Sequence, residues 1–233
     1  MNLCIGFDLD LTLIDSRPAI RSSLEQLAAA TGVPVDAAAI VNRLGPKLET
    51  ELAQWFPQGE IAEAARIYRA FYAVEYVRGT TAMPGAEAAL RAVRDLRGRI
   101  VVVSAKAHIF AERCVELLGF DVDAVRGFLH GIEKGEALLE HGATMYVGDT
   151  LPDIEAARHA HALAVSVATG PVDSEQLRAA GADHVLESLV EFPALLDLVV
   201  TPPATSADLR RVRAEPAPRA PAPSGSAADV GTC

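Results

Sequence analysis

Short apolar runs rich in β-branched residues recur along the chain, each stopping at a polar or small residue. They are "LCIGF" before Asp8, "RIVVV" before Ser104, "TMYVG" before Asp149, "ALAVSVA" before Thr169 and "HVL" at 184–186. Runs apolar on both faces are the pattern of parallel strands covered by helices. Helical patterns lie between them, at 85–98, 111–120, 134–142, 153–162 and 174–182. This alternation predicts an α/β fold, a Rossmann-like doubly wound parallel sheet with crossover helices.

The interval from Ser16 to Met83 breaks the alternation. "PAIRSSLEQLAAATG", "DAAAIVNRLG", "KLETELAQWFP" and "GEIAEAARIYRAFYAVEYV" carry apolar residues near the 3.6 period, and no strand is evident among them. The pattern predicts a core of residues 1–15 and 84–200 interrupted by an all-helical cap, 16–83, with hinges near "DSRP" and "RGTTAMPG". Such a unit is either a lid over the strand ends or padding on the core's flank. From Thr201 the chain turns to Pro, Ala and Ser without apolar periodicity, so 201–233 is expected to be a disordered tail.

Composition narrows the function. A formal net charge of −10 argues against nucleic acid, since phosphate-backbone binding needs a basic surface. A small anion-binding pocket can still lie within an acidic surface. No stretch approaches the ~20 apolar residues of a membrane span, so no membrane partner is expected. Cys4, Cys114 and Cys233 are scattered, with no CxxC, and read as thiols of a reducing, cytoplasmic compartment.

Four polar sites sit where apolar strands end or helices begin, the region where open α/β sheets bind ligands. In "DLDLT", Asp8 and Asp10 fall on the same side of an extended chain if the strand persists. The pair is either a nucleophile and metal ligand beside an acid/base, with mutual repulsion raising one pKa, or an Asp-rich helix cap. In "VVVSAK", Ser104 is placed to hold a phosphoryl oxygen or to close a turn, and Lys106 is expected in solvent. Lys134 opens a helix, where the dipole disfavours a cation unless carboxylates or a bound anion stand nearby; its local sequence alone favours an exposed surface lysine. In "YVGDTLPDIEAA", Asp149 and Asp153 offer hard oxygens for Mg²⁺, Asp153 doubling as a helix cap, while Gly148 is expected to permit a tight turn. Acids, hydroxyl, lysine and acids in this order suit phosphoryl transfer to an aspartate.

These residues resemble the four-motif signature of the haloacid dehalogenase superfamily, in its phosphatase branch. "FDLDLTLIDS" is similar to the family's D-x-D-G-T-L-x-D-S, "VVVSAK" to its Ser/Thr motif, "EKGEAL" to its lysine motif, and "VGDTLPDIEAARHA" to its G-D-x-x-x-D-x-x-A-A. The likeness runs from about Leu3 to Phe192 and includes the insertion, similar to the cap of phosphoglycolate-phosphatase-like members. It implies that Asp8 attacks phosphorus and that Asp10 is the acid and then the base. Mg²⁺ would be held by Asp8, the Asp10 carbonyl, Asp149 and Asp153, with Ser104 and Lys134 gripping phosphoryl oxygens. Leu11 stands where the family has Gly, and the local loop is expected to differ for that reason.

The expected function is Mg²⁺-dependent hydrolysis of a small-metabolite phosphomonoester, phosphoglycolate being a candidate by resemblance. The alternatives are a sugar phosphomutase of the same superfamily and a non-catalytic phospho-switch or binding protein. Dehalogenation is disfavoured, because Asp10 occupies the position of the phosphatase acid. Arg43 or Lys47, in "NRLGPKLETEL", is expected to meet a second anionic group of the substrate or to end as a solvated helix terminus.

Overall fold

The computed structural model describes residues 3–200; the tail expected to be disordered lies outside them. Strand β1 (Cys4–Phe7) is buried at every residue, as a strand covered on both faces must be. A two-residue strand, β2 (Ile14–Asp15), follows, and then the helices α1 (Arg17–Thr31), α2 (Ala37–Val41), α3 (Leu48–Leu52) and α4 (Ile61–Gly79). After β3 (Thr81–Ala82) the alternation resumes with α5 (Ala86–Asp95), β4 (Arg99–Val103), α6 (His108–Leu117), β5 (Ala124–Arg126) and α7 (Ile132–His141). It ends with β6 (Met145–Gly148), α8 (Leu151–His159), β7 (Leu163–Val167), α9 (Ser174–Ala179), β8 (His184–Leu186) and α10 (Phe192–Val200).

The sheet order is β5-β4-β1-β6-β7-β8, and every pairing is parallel. Numbered by their sequence within the sheet, the strands run 3-2-1-4-5-6, the order of the Rossmann-like doubly wound fold. Winding reverses between β1 and β6, so a crevice opens beyond the carboxyl ends of those two strands. Asp8 follows β1 and Asp149 follows β6, which puts both at that crevice.

The inserted helices build their own apolar layer from Leu24, Leu27, Ile40, Leu52, Phe56 and Tyr72, and Phe110 of α6 joins it. Tyr72 meets the edge of Phe110 with ring centroids 5.1 Å apart, tying α4 to the sheet's flank. Pro18 sits in the first turn of α1, and Gly32 ends that helix in the left-handed conformation, with its N–H bonded to Ala28 O. Sheet, flanking helices and inserted helices belong to one compact unit that ends at Asp197.

Two features depart from the sequence pattern. Thr81–Ala82 is a strand within the interval expected to be purely helical: it pairs antiparallel with Ile14–Asp15 and draws the two ends of the insertion together. Two residues are too few to show a period of two. The second is β5, only three residues long, at the sheet's edge beside β4. No helix among the described residues is long and apolar enough to cross a membrane.

Leu27 is fully buried between the inserted helices. Leu27→Ala is expected to cost about 2–5 kcal/mol in urea unfolding, whereas Val77→Ala, on the exposed side of α4, changes it by about 0.5 kcal/mol or less.

Candidate active site at the winding reversal

Asp8 prolongs β1 by one hydrogen bond, its N–H donating to Val147 O at 2.8 Å. Beyond it the chain turns: Leu13 and Ile14 N–H both bond to Leu9 O at 2.9 Å, and Leu11 N–H reaches Ile14 O at 2.7 Å. Leu9, Leu11 and Leu13 are buried, while Asp8 and Asp10 line one cavity. Leu11 itself adopts the left-handed backbone, φ 63°. The expectation that leucine would divert the loop from that conformation is therefore not met.

The two acids have separate partners. Asp8 Oδ1 accepts from Lys134 Nζ at 2.9 Å, and the same ammonium donates to Asp153 Oδ1 at 2.7 Å. Lys134 lies in the first turn of α7 and is nearly inaccessible, so the exposed surface lysine is excluded and the nearby-carboxylate reading holds. Asp10 instead accepts from Lys106 Nζ, 2.9 Å from each carboxylate oxygen, and from the Ser16 hydroxyl. Lys106 was expected in solvent; its side chain is only 8% exposed, and its ammonium lies 4.8 Å from the centre of the Tyr72 ring. Desolvation opposes that buried charge, but Asp10 and the neighbouring phenols outweigh it and raise the Lys106 pKa well above the ordinary lysine value.

Burial is also the main reason that Asp8 is pushed up to about 6; Lys134 opposes the shift, and Asp153 and then Asp10 add to it. Asp10 is the weakest of these influences, so repulsion within the pair is not the principal cause that the sequence suggested. Asp149 is raised well above the usual carboxylate range, first by burial and then by Asp8 and Asp153, although the Thr12 hydroxyl donates to its Oδ1 at 3.1 Å. Burial would raise Asp153 too. Lys134 and the Thr150 donors outweigh it and hold that carboxyl below the usual range.

Asp153 Oδ2 accepts from the Thr150 N–H at 3.0 Å and from its hydroxyl at 2.6 Å, so the acid closes the start of α8 while facing the site. Gly148 does not have the left-handed backbone a tight turn would explain. It supplies room instead, for a Cβ there would fall 2.5 Å from the Asp153 side chain. Gly170 does the same for Asp149, whose Oδ2 would stand 1.8 Å from an added Cβ.

Ser104 follows β4 in the same cavity, buried, with its Oγ accepting from the Lys106 N–H at 3.2 Å. Arg43 and Lys47 do not line the cavity. Arg43 is bonded to Glu51 and Gln54, and Lys47 to Glu133 at 2.6 Å. Their neighbours Leu44, Gly45, Pro46 and Leu48 form the wall, with Arg69 and Glu49. Tyr146 and Thr169 were not singled out from sequence; a Tyr inside an apolar strand was the available signal for Tyr146, whose hydroxyl stands 3.2 Å from Asp153 Oδ1.

Asp8, Asp149 and Asp153 each offer a carboxylate oxygen, all within 4.8 Å of one another. Three buried acids share the neighbourhood of one ammonium, which pairs with Asp8 and Asp153, and burial, with repulsion among the acids, raises Asp8 and Asp149. Hard oxygen donors so crowded fit a divalent cation.

A doubly wound sheet with acids, a hydroxyl and a buried lysine at its winding reversal has the make-up of an α/β enzyme's active site. A family profile described as haloacid dehalogenase-like hydrolase matches residues 3–161. The chain belongs to that family, and is thus a hydrolase. It is 28% identical over 214 residues to a plasmid-encoded phosphoglycolate phosphatase of Cupriavidus necator, covering 81% of this chain and 90% of that one. It is 27% identical over 219 residues to a phosphoglycolate phosphatase of Chromobacterium violaceum, covering 82% and 95%. Among solved structures, a predicted phosphatase from Clostridium acetobutylicum superposes with a TM-score of 0.74 at 24% identity, over 85% of this chain and all of that one, a likeness of fold.

The raised acids make cation binding pH-dependent. Without metal, Asp8 and Asp149 hold protons in the fold that they lose when unfolded, so stability contributed at low pH is lost as pH rises through about 6 and beyond. A cation bound to the ionised acids would restore it. Added MgCl₂ is expected to raise the melting temperature strongly at pH 7.5 and little at pH 5, read by thermal unfolding; equal shifts at both values would count against this site.

Proposed function

We propose that the chain is a Mg²⁺-dependent phosphatase, hydrolysing the phosphomonoester of a small metabolite through an aspartyl-phosphate on Asp8. The observation that carries this reading is the meeting of Asp8, Ser104, Lys134, Asp149 and Asp153 at one crevice, with Asp10 held separately in the same cavity. Asp8, Asp149 and Asp153, with the Asp10 carbonyl, would hold the metal, which when bound offsets phosphoryl charge.

A carboxylate oxygen of Asp8 forms the new bond to phosphorus as the bond to the ester oxygen breaks. Asp10 delivers a proton to the departing alkoxide; when water attacks the aspartyl-phosphate, Asp10 takes the proton back and Asp8 is released. Lys134 meets the charge of Asp8 and of the phosphoryl group, and Ser104 donates its hydroxyl to a phosphoryl oxygen. Helices α1–α4 serve as the cap, since their residues form the wall opposite Asp8. The buried free thiols of Cys4 and Cys114 support a reducing, cytoplasmic setting.

Purified protein is expected to release phosphate from p-nitrophenyl phosphate with Mg²⁺ and to stop when the metal is chelated. Asp10→Asn lowers kcat by about 10²- to 10⁴-fold, and Asp8→Asn forms no acid-stable phosphoprotein on quenching. Isomerisation of a sugar phosphate without net phosphate release would overturn the hydrolytic reading in favour of a mutase.

A further inference from the structure

The cavity beside Asp8 has a volume of about 90 Å³. That admits a compact leaving group. Much of the wall is apolar, with Ile20, Leu24, Leu44, Leu48, Tyr68 and Phe110, while Glu49, Glu51 and Arg69 share it. Phe128 stands at the cavity, 43% exposed, in a left-handed backbone conformation that a bulky residue adopts only under constraint.

The charges in this wall are already matched. Two lining residues are cationic, and each has a carboxylate partner: Lys106 is held by Asp10 and Arg69 by Glu49. Just behind, Arg43 is bound to Glu51 and Lys47 to Glu133. A second anion on the substrate would have to break one of these pairs, at the expense of leaving a carboxylate unpaired in an apolar cleft. Acceptor capacity, by contrast, is in surplus. Glu49 lines the cavity, its Oε1 taken by Arg69, and its Oε2 is buried with no hydrogen-bond partner among the described residues. A buried acceptor left in this way favours a ligand that brings a donor.

We infer that the preferred substrate is the phosphomonoester of a compact alcohol with an apolar body and a hydrogen-bond donor, an amine above all, and not of a hydroxy acid such as glycolate. The inference rests on the phosphatase reading above and narrows it. The apolar body lies against Leu44, Leu48, Tyr68 and Phe110, and the donor meets Glu49.

Three esters with Mg²⁺ test it: benzyl phosphate, 3-(aminomethyl)benzyl phosphate and 2-phosphoglycolate. The expected order of kcat/KM places the amine first and phosphoglycolate last, by about 100-fold. Phosphoglycolate matching or exceeding the benzyl esters overturns the inference and leaves the phosphatase reading intact, whereas no release from any ester, p-nitrophenyl phosphate included, overturns both. Glu49→Gln is expected to cut the ratio of amine to benzyl kcat/KM by about tenfold, and an unchanged ratio removes Glu49 from the role. Should that variant fail to fold, Leu48→Lys supplies the second arm: a new cation in the wall raises phosphoglycolate relative to benzyl phosphate, and no change in that ratio counts against the apolar wall as the selecting surface.

Discussion

A single ammonium, Lys134, holds together the acids on which the site depends. It reaches Asp8 at the end of β1 and Asp153 at the start of α8. Taking three carboxylates out of water at one place is unfavourable by several kcal/mol each unless charge and hydrogen bonds offset it. Lys134 is itself poorly placed by the helix rule, since the first turn of α7 repels a cation. Each misplacement answers the other: the acids stabilise a buried lysine, and the lysine makes the acids tolerable. The compensation is incomplete, and the rise of Asp8 and Asp149 is its measure. A divalent cation would add positive charge at that place.

The second ion pair is arranged differently. Lys106 and Asp10 lie further toward the inserted helices, with Tyr72 of α4 over the ammonium and Ser16, just before α1, on the carboxylate. The residue proposed to move protons is thus positioned by three parts of the chain: the β1 loop, the β4 loop and the insertion. The chemistry of Asp8 is set by the sheet, whereas that of Asp10 is shared with the helices that wall the cavity.

This division explains what could be read in advance. "RIVVV" and "HVL" became strands over the same residues, because a continuous apolar run records burial on both faces. Asp8, Ser104, Lys134, Asp149 and Asp153 were legible because each follows a strand or opens a helix, and strand ends in a doubly wound sheet converge. Lys106 was not, since nothing local shows that Tyr72 will cover it or that Asp10 will turn toward it. The cause of the Asp8 shift was missed for a related reason. Proximity in sequence suggests repulsion, but burial depends on the whole fold. Strands β2 and β3, two residues each, are held by pairing across the insertion and leave no periodic trace.

Leu11 shows why a broken motif need not break a site. Left-handed backbone costs an ordinary residue about 1–2 kcal/mol. Leu11 meets that cost with a side chain only 3% exposed, and full burial of a leucine contributes about 1.5–3 kcal/mol. Its backbone is tied at both ends, the N–H to Ile14 O and the carbonyl to the Thr169 hydroxyl at 2.5 Å. The turn that presents Asp10 and Thr12 is therefore secured by packing where glycine would secure it by freedom. Thr169 precedes Gly170, whose missing side chain leaves the space that Asp149 fills. One hydroxyl thus links the loop carrying the proposed nucleophile to the loop that makes room for Asp149, and a residue unsuited to its backbone can stay because its neighbours hold both.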